Sequence, residues 1–154
     1  MSRMGLNRTG SKEYRSYLAS RAWRARKHRW FRDRRAEGYE PGCVICQLSL
    51  AELGALDLHH MNYDGVTQHS DGTWSANEAD QDLMPMCRHH HELLHRAMDR
   101  HREHHGWDRG KASAVIAAKM IRRFTSLAPA ARQTVLQKIR KEYADYHKRE
   151  AAKR

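Results

Sequence analysis

The chain has no run approaching the ~20 consecutive apolar residues that a membrane-spanning helix needs, and Met1–Lys12 lacks the apolar stretch of a secretory leader. The expectation is a cytoplasmic protein with no membrane partner. Cysteine is scarce: three residues cannot all pair into disulfides, and two of them stand in Cys43-x2-Cys46, where a metal is the commoner use inside a cell. Apolar residues are also thin. With 154 residues, 31% of them charged, and a mean hydropathy of −0.94, the chain has the length of one ordinary domain but not the composition of a generous core. Something besides apolar burial must hold part of it together. Internal repeats and low-complexity linkers are absent too.

The net charge of +11 is unevenly spread. Residues 1–42 carry 12 Lys/Arg against 4 Asp/Glu, residues 43–95 carry 1 against 8, and residues 96–154 carry 16 against 6. An acidic centre between two basic flanks suits divalent cations in the middle and a polyanion such as nucleic acid outside. The chain is accordingly divided into a basic N-terminal helical arm (1–42), a metal-binding core (43–98) and a basic C-terminal helical extension (99–154).

Between Ser11, a plausible N-cap, and Gly38, a plausible stop, neither proline nor glycine interrupts the sequence, which predicts one long helix over residues 12–36. Tyr14, Leu18, Ala22 and Ala25 follow helical spacing, widened by Trp23, Trp30 and Phe31. Arg21, Arg24, Arg26, Lys27, Arg29, Arg32, Arg34 and Arg35 cover the remainder, where a fraction of them can line a phosphate backbone. Pro41-Gly42 opens a turn into the two-cysteine knuckle. Leu56 and Leu58 suggest a short strand into His59-His60, a polar loop follows, and Trp74 marks a second strand. Two further helices are expected over 111–126 and 129–150, with Pro129 at a helix start and Trp107 packed beneath them. Their apolar stripes suit a core or an inter-helix seam, with a homodimer surface as the alternative.

What the chain does have is a dense set of metal-ligand side chains: Cys43-x2-Cys46, His59-His60, and Cys87-x2-His90-His91-x3-His95. These are too many for one ion and enough for two. A structural zinc is closed by four N/S ligands, whereas a catalytic ion keeps a position open. Cys43, Cys46, Cys87 and His90 make the natural zinc set, leaving His59, His60, His91 and His95 for chemistry. From Cys87 onward the ligands separate by three and four residues and so share one side of a helix. On a strand, successive side chains point to opposite sides, which separates His59 from His60. His101, His104 and His105 have no cysteine or carboxylate at matching spacing and read as exposed. Asp64 and Asp71 read as turn formers.

Taken in order, Tyr17-Leu18-x4-Trp23, Cys43-x2-Cys46, Leu56-Asp57-Leu58-His59-His60-Met61-x-Tyr63, Asn77-Glu78 and Asp82-Leu83-x3-Cys87-x2-His90-His91-x3-His95 resemble the HNH endonucleases, the His-Me finger or ββα-metal nucleases, in particular the small zinc-containing ones of phages and bacteria. The resemblance spans about residues 14–97. It implies an α+β, mainly helical fold with a ββα-metal core, a structural zinc (Zn2+) and a catalytic divalent ion such as Mg2+ or Mn2+. It also implies that His59, with His91 and His95, ligates the catalytic ion and that His60 is the general base. The sequence departs from the family pattern twice. Asp82 stands nine residues before His91, where the name-giving Asn is usual, so the residue bracing the base loop is Asp82, with Asn77 close behind. His90 stands where many relatives carry Cys.

The implied activity is metal-dependent hydrolysis of DNA phosphodiesters, by nicking or double-strand cutting, with Arg21, Arg24, Lys27, Arg32 and Arg88 as candidate DNA contacts. Two alternatives stand beside it. One is a non-catalytic zinc-stabilised nucleic-acid-binding module, and the other is a nuclease subunit of a larger phage-packaging or mobile-element machine.

Overall fold

The computed structural model describes residues 6, 10–100 and 106–154; His101, His104 and His105 lie outside them. Among the described residues the protein is mainly helical, with two small antiparallel sheets of two strands each. Among the described residues no helix is long and apolar enough to cross a membrane.

The expected single N-terminal helix is two: α1 (Lys12–Ala19) and α2 (Arg21–Ala36). Ser20 is extended, with φ −71° and ψ 153°, and its side chain accepts from the Trp23 amide at 3.1 Å. The serine thus caps α2 in place of continuing α1. Tertiary packing explains the break, because it turns both Tyr17 and Trp23 inward, with ring centroids 5.7 Å apart. A short helix that the sequence reading missed, α3 (Leu50–Leu53), follows the knuckle and carries a capping box of Ser49 and Glu52.

The predicted strand into the histidine pair is β1 (Asp57–His60). Its partner is not the Trp74 segment. A hairpin of β2 (Val66–Gln68) and β3 (Trp74–Ala76) pairs with itself, while β1 pairs antiparallel with β4 (Leu83–Met86), in a register that sets Asp57 against Met86 and His60 against Leu83. Pro85 made β4 hard to read as a strand. It is tolerated because its backbone edge faces away from β1, toward the knuckle, where its carbonyl accepts from the Val44 amide at 3.1 Å, so the ladder loses no donor. Helix α4 (Arg88–Arg100) starts two residues after β4. The last two helices, α5 (Arg109–Thr125) and α6 (Pro129–Ala151), stand close to where the apolar stripes put them. Trp107 does not pack beneath them: it is 39% exposed, with the Lys111 ammonium 4.4 Å from its ring centroid.

Two apolar clusters flank the β1–β4 sheet. One contains Tyr17, Trp23, Trp30, Leu58, Tyr63 and Leu83, so α1 and α2 cover one side. The other gathers Leu56, Met86, Leu94, Ile116, Phe124 and Ile139 around the three cysteines, which brings α4, α5 and α6 to the other side. Residues from all three charge segments share these cores.

Gly65 joins the loop after β1 to the end of β3. Its φ is +84°, and a Cβ there would lie 2.2 Å from the Asn77 carbonyl oxygen. Gly72 has the same backbone hand, φ +85°, but open space around it. In urea denaturation, Gly72→Ala should cost about 1 kcal/mol for the left-handed conformation, and Gly65→Ala clearly more, because the backbone must also move. Equal losses would show that the close approach is relaxed in solution.

Candidate metal centres

Two clusters of metal-ligand side chains stand along α4, and in each the candidate ligand atoms lie within 4.8 Å of one another. The first joins Cys43, Cys46, Cys87 and His90, all buried. Cys46 Sγ is 4.0 Å from Cys87 Sγ, Cys43 Sγ is 3.8 Å from His90 Nδ1, and Cys87 Sγ is 3.2 Å from His90 Nδ1. Ligands at ~2.3 Å (S) and ~2.0–2.1 Å (N) from a tetrahedral ion sit roughly 3.5–3.8 Å apart, so the four side chains already surround a metal-sized space. Among themselves the three thiols cannot all ionise. Hydrogen bonds from Cys46 and Cys87 pull Cys43 well below the usual thiol value, and the same contacts push Cys46 and Cys87 up. A divalent cation such as zinc removes that conflict. The Cys3His cluster is therefore suited to bind a metal such as zinc, with no position left open.

The second cluster is His59, His91 and His95. His59 Nδ1 lies 3.3 Å from His91 Nε2, and His95 Nε2 lies 3.0 Å from the same atom. Nitrogens bound at ~2.0–2.1 Å with angles between 90° and 110° are separated by roughly 2.9–3.4 Å. Burial holds His59 well below 6.5, and burial followed by repulsion from His91 and Arg109 takes His95 down to about 3. Ligation requires neutral imidazole, and these two are neutral across the physiological range.

The remaining ring nitrogens are also assigned. His91 Nδ1 donates to Asp57 Oδ2 at 2.9 Å, which leaves its Nε2 lone pair facing the cluster. Burial works to raise Asp57, but the hydrogen bonds from His91 and Arg88 outweigh it and bring it to about 2. His59 Nε2 is 2.8 Å from Ser113 Oγ on α5. Asp57 was open to prediction, since residues two apart on a strand share a face with His59. Ser113, 54 residues from His59, carried no signal.

His60 turns to the other side, as strand geometry requires. It is 3% exposed, packed 4.4 Å from Trp23 and stacked at 4.5 Å on Tyr63. Its Nε2 donates to Glu78 Oε1 at 2.9 Å, and Tyr17 donates its hydroxyl to the same oxygen. Burial would raise Glu78, yet the hydrogen bonds from His60 and Tyr17 keep it below the usual carboxylate value. Burial also lowers His60, so it too is neutral. Of the residues expected to brace this loop, Asn77 is exposed, and Asp82 acts through its backbone, its carbonyl accepting from the Met61 amide at 2.8 Å. The side chain that meets His60 is Glu78, the neighbour of Asn77.

The basic residues divide. Arg26 is buried and donates to the Glu78 carbonyl at 2.7 Å and to Asp80 at 2.6 Å; Arg34 also reaches Asp80, and Arg29 the Ala76 carbonyl. These three brace the fold. Arg21 and Arg24 are exposed, Arg32 is exposed beside Asp33, and Arg88 spans Asp57 with its guanidinium fork. A cleft of about 520 Å³ opens beside the histidine cluster, where Lys27, Arg88 and Arg96 alternate with Asp57, Glu92 and Asp99. Lys27 also borders a second cleft, of about 780 Å³, with Arg24, Arg32 and Arg35.

Comparison with known proteins yields no matching family model, no matching curated protein and no matching solved structure.

Structural zinc contributes folding free energy on the order of 10 kcal/mol in zinc-finger peptides. Cys43→Ser should therefore lose bound zinc and its cooperative thermal transition, as followed by metal analysis and circular dichroism. A variant that melts like the parent would remove zinc from the core.

Proposed function

We propose that the protein is a metal-dependent DNA endonuclease of the HNH type, with β1, β4 and α4 as its ββα-metal core. The observation that carries this reading is that one helix serves two unlike clusters. One is closed by four ligands, and the other has three imidazoles beside a cleft that Lys27, Arg88 and Arg96 line together with Asp57, Glu92 and Asp99. A closed site suits structure, and a three-ligand site leaves coordination positions for phosphate and water.

His59, His91 and His95 would hold the catalytic ion, Mg2+, Mn2+ or another divalent cation. When bound, it supplies charge neutralisation at the scissile phosphate and help for the departing 3′ oxygen. Three imidazoles are softer ligands than Mg2+ prefers, so the donor set favours Mn2+ or a later transition metal. His60 fits a general base in its tautomer: Glu78 accepts a hydrogen bond from Nε2–H and so keeps the proton on that nitrogen, which leaves the Nδ1 lone pair to accept a proton from water. Glu78 thus replaces Asp82 and Asn77 as the residue that orients the base. Lys27, Arg88 and Arg96 face the cleft and suit phosphates flanking the cut, while the exposed Arg21, Arg24 and Arg32 suit a longer stretch of backbone. The products would carry 5′-phosphate and 3′-hydroxyl ends. One site per chain favours nicking; double-strand cutting then calls for a homodimer or for a larger phage or mobile-element assembly in the host cytoplasm.

The deep burial of His60 between Trp23 and Tyr63 favours a second reading, a zinc-stabilised nucleic-acid-binding module in which this histidine is a packing residue. Incubation of supercoiled plasmid with EDTA, Mg2+ or Mn2+ separates the two. The nuclease reading expects metal-dependent conversion to open circle, abolished in His91→Ala and slowed about 10²–10⁴-fold in His60→Ala, the usual contribution of a general base. Tight DNA binding with no cleavage under any ion would leave the binding module.

A further inference from the structure

Helix α5 lies in the part of the chain whose function the sequence reads from charge alone, yet it sets two polar side chains, one turn apart, against the histidine pair of β1. Arg109 Nε donates to the His60 carbonyl at 2.8 Å, and its guanidinium stands 5.3 Å from the Tyr63 ring centroid. Ser113 is fully buried. Its Oγ lies 2.8 Å from His59 Nε2 and 3.7 Å from Met98 Sδ, to which its hydroxyl donates.

A neutral imidazole carries one N–H and one lone pair, and the partner of one nitrogen decides the role of the other. His59 Nδ1 faces His91 Nε2 across 3.3 Å, so ligation through Nδ1 requires the proton to be on Nε2. That proton needs an acceptor within the protein, because His59 is fully buried. The Ser113 oxygen is the acceptor within reach, and it is free to accept only if its own proton goes elsewhere. The Met98 thioether, a weak acceptor, gives that proton a place to go. Reversing the chain of hydrogen bonds would turn His59 into the Nδ1–H tautomer and aim a proton at His91 and His95.

We propose that Ser113 is a positioning residue of the histidine metal centre. Through its hydrogen bond it holds His59 in the Nε2–H tautomer and fixes the ring orientation that aims Nδ1 at the ion, so the C-terminal helices are part of the site. The proposal rests on the reading of His59, His91 and His95 as an ion site.

The test uses the full chain loaded with one zinc at the Cys3His cluster and titrated calorimetrically with further Zn2+. The parent should take up a second equivalent. Ser113→Ala should bind it 10–100-fold more weakly, as for lost outer-shell partners of ligating histidines, with the first zinc and the melting temperature retained. Met98→Leu, which keeps the volume but removes the sulfur acceptor, should weaken it less. Nitrogen-15 spectra of histidine-labelled, doubly loaded parent should show His59 protonated on Nε2. Unchanged affinity in Ser113→Ala, or a His59 proton on Nδ1, would overturn the proposal. A parent that refuses a second ion would overturn both it and the ion-site reading beneath it. Serine-dependent uptake in a protein that cleaves no DNA would uphold it and remove only the nuclease.

Discussion

Convergence of Cys43, Cys46, Cys87 and His90 is the constraint on which the rest of the site depends. The knuckle and the first turn of α4 have little else in common: one follows a turn at Pro41-Gly42, the other a short strand. Four ligand atoms within 4.8 Å tie them together, and the apolar residues of α5 and α6 close over the cluster. Once Cys87 and His90 fix where α4 starts and how it is rotated, His91 and His95 have no freedom of direction. They project one turn apart toward β1, where His59 meets them. In a chain with this much charge, a metal held by the four cysteine and histidine ligands would act as a cross-link between the knuckle and α4. Replacing apolar burial by metal ligation is the common solution when the core alone is too small.

The second layer of the site is a set of proton assignments. Asp57 fixes His91, Ser113 fixes His59, and Glu78 fixes His60. Burial lowers His59, His60 and His95, so none of them carries a charge that would repel a cation. The two histidines of the pair end in opposite surroundings. His59 joins a cluster of imidazoles that borders an open cleft, and His60 sits in an aromatic box with a buried carboxylate. The alternation of a single β-strand produces that division.

The two candidate ligand clusters were legible in the sequence because their parts are local: two cysteines on one knuckle, one histidine of a pair on a strand, four ligands at helical spacing. The C-terminal helices were legible for the same reason. What escaped was decided by contacts distant in sequence. Ser20 looks no different from Ser16, and only the inward packing of Tyr17 and Trp23 makes it a break. The choice of Glu78 over Asn77 is a matter of one residue beyond β3, where the inward and outward sides alternate. Arg26 resembles its neighbours on α2, yet it is buried against the Glu78 carbonyl and Asp80. Arg109 and Ser113 reach their histidines from 49 and 54 residues away.

The central claim is that α4 serves two metal centres of different character, one closed and one open. Crystals grown with zinc and then soaked in manganese, measured at wavelengths on either side of the zinc edge, address it directly. The account predicts two anomalous peaks per chain. One should be zinc amid Cys43, Cys46, Cys87 and His90, and the other manganese or zinc among His59, His91 and His95, with solvent completing its coordination. A single peak at the cysteines, with the three imidazoles hydrogen-bonded only to protein, would contradict it.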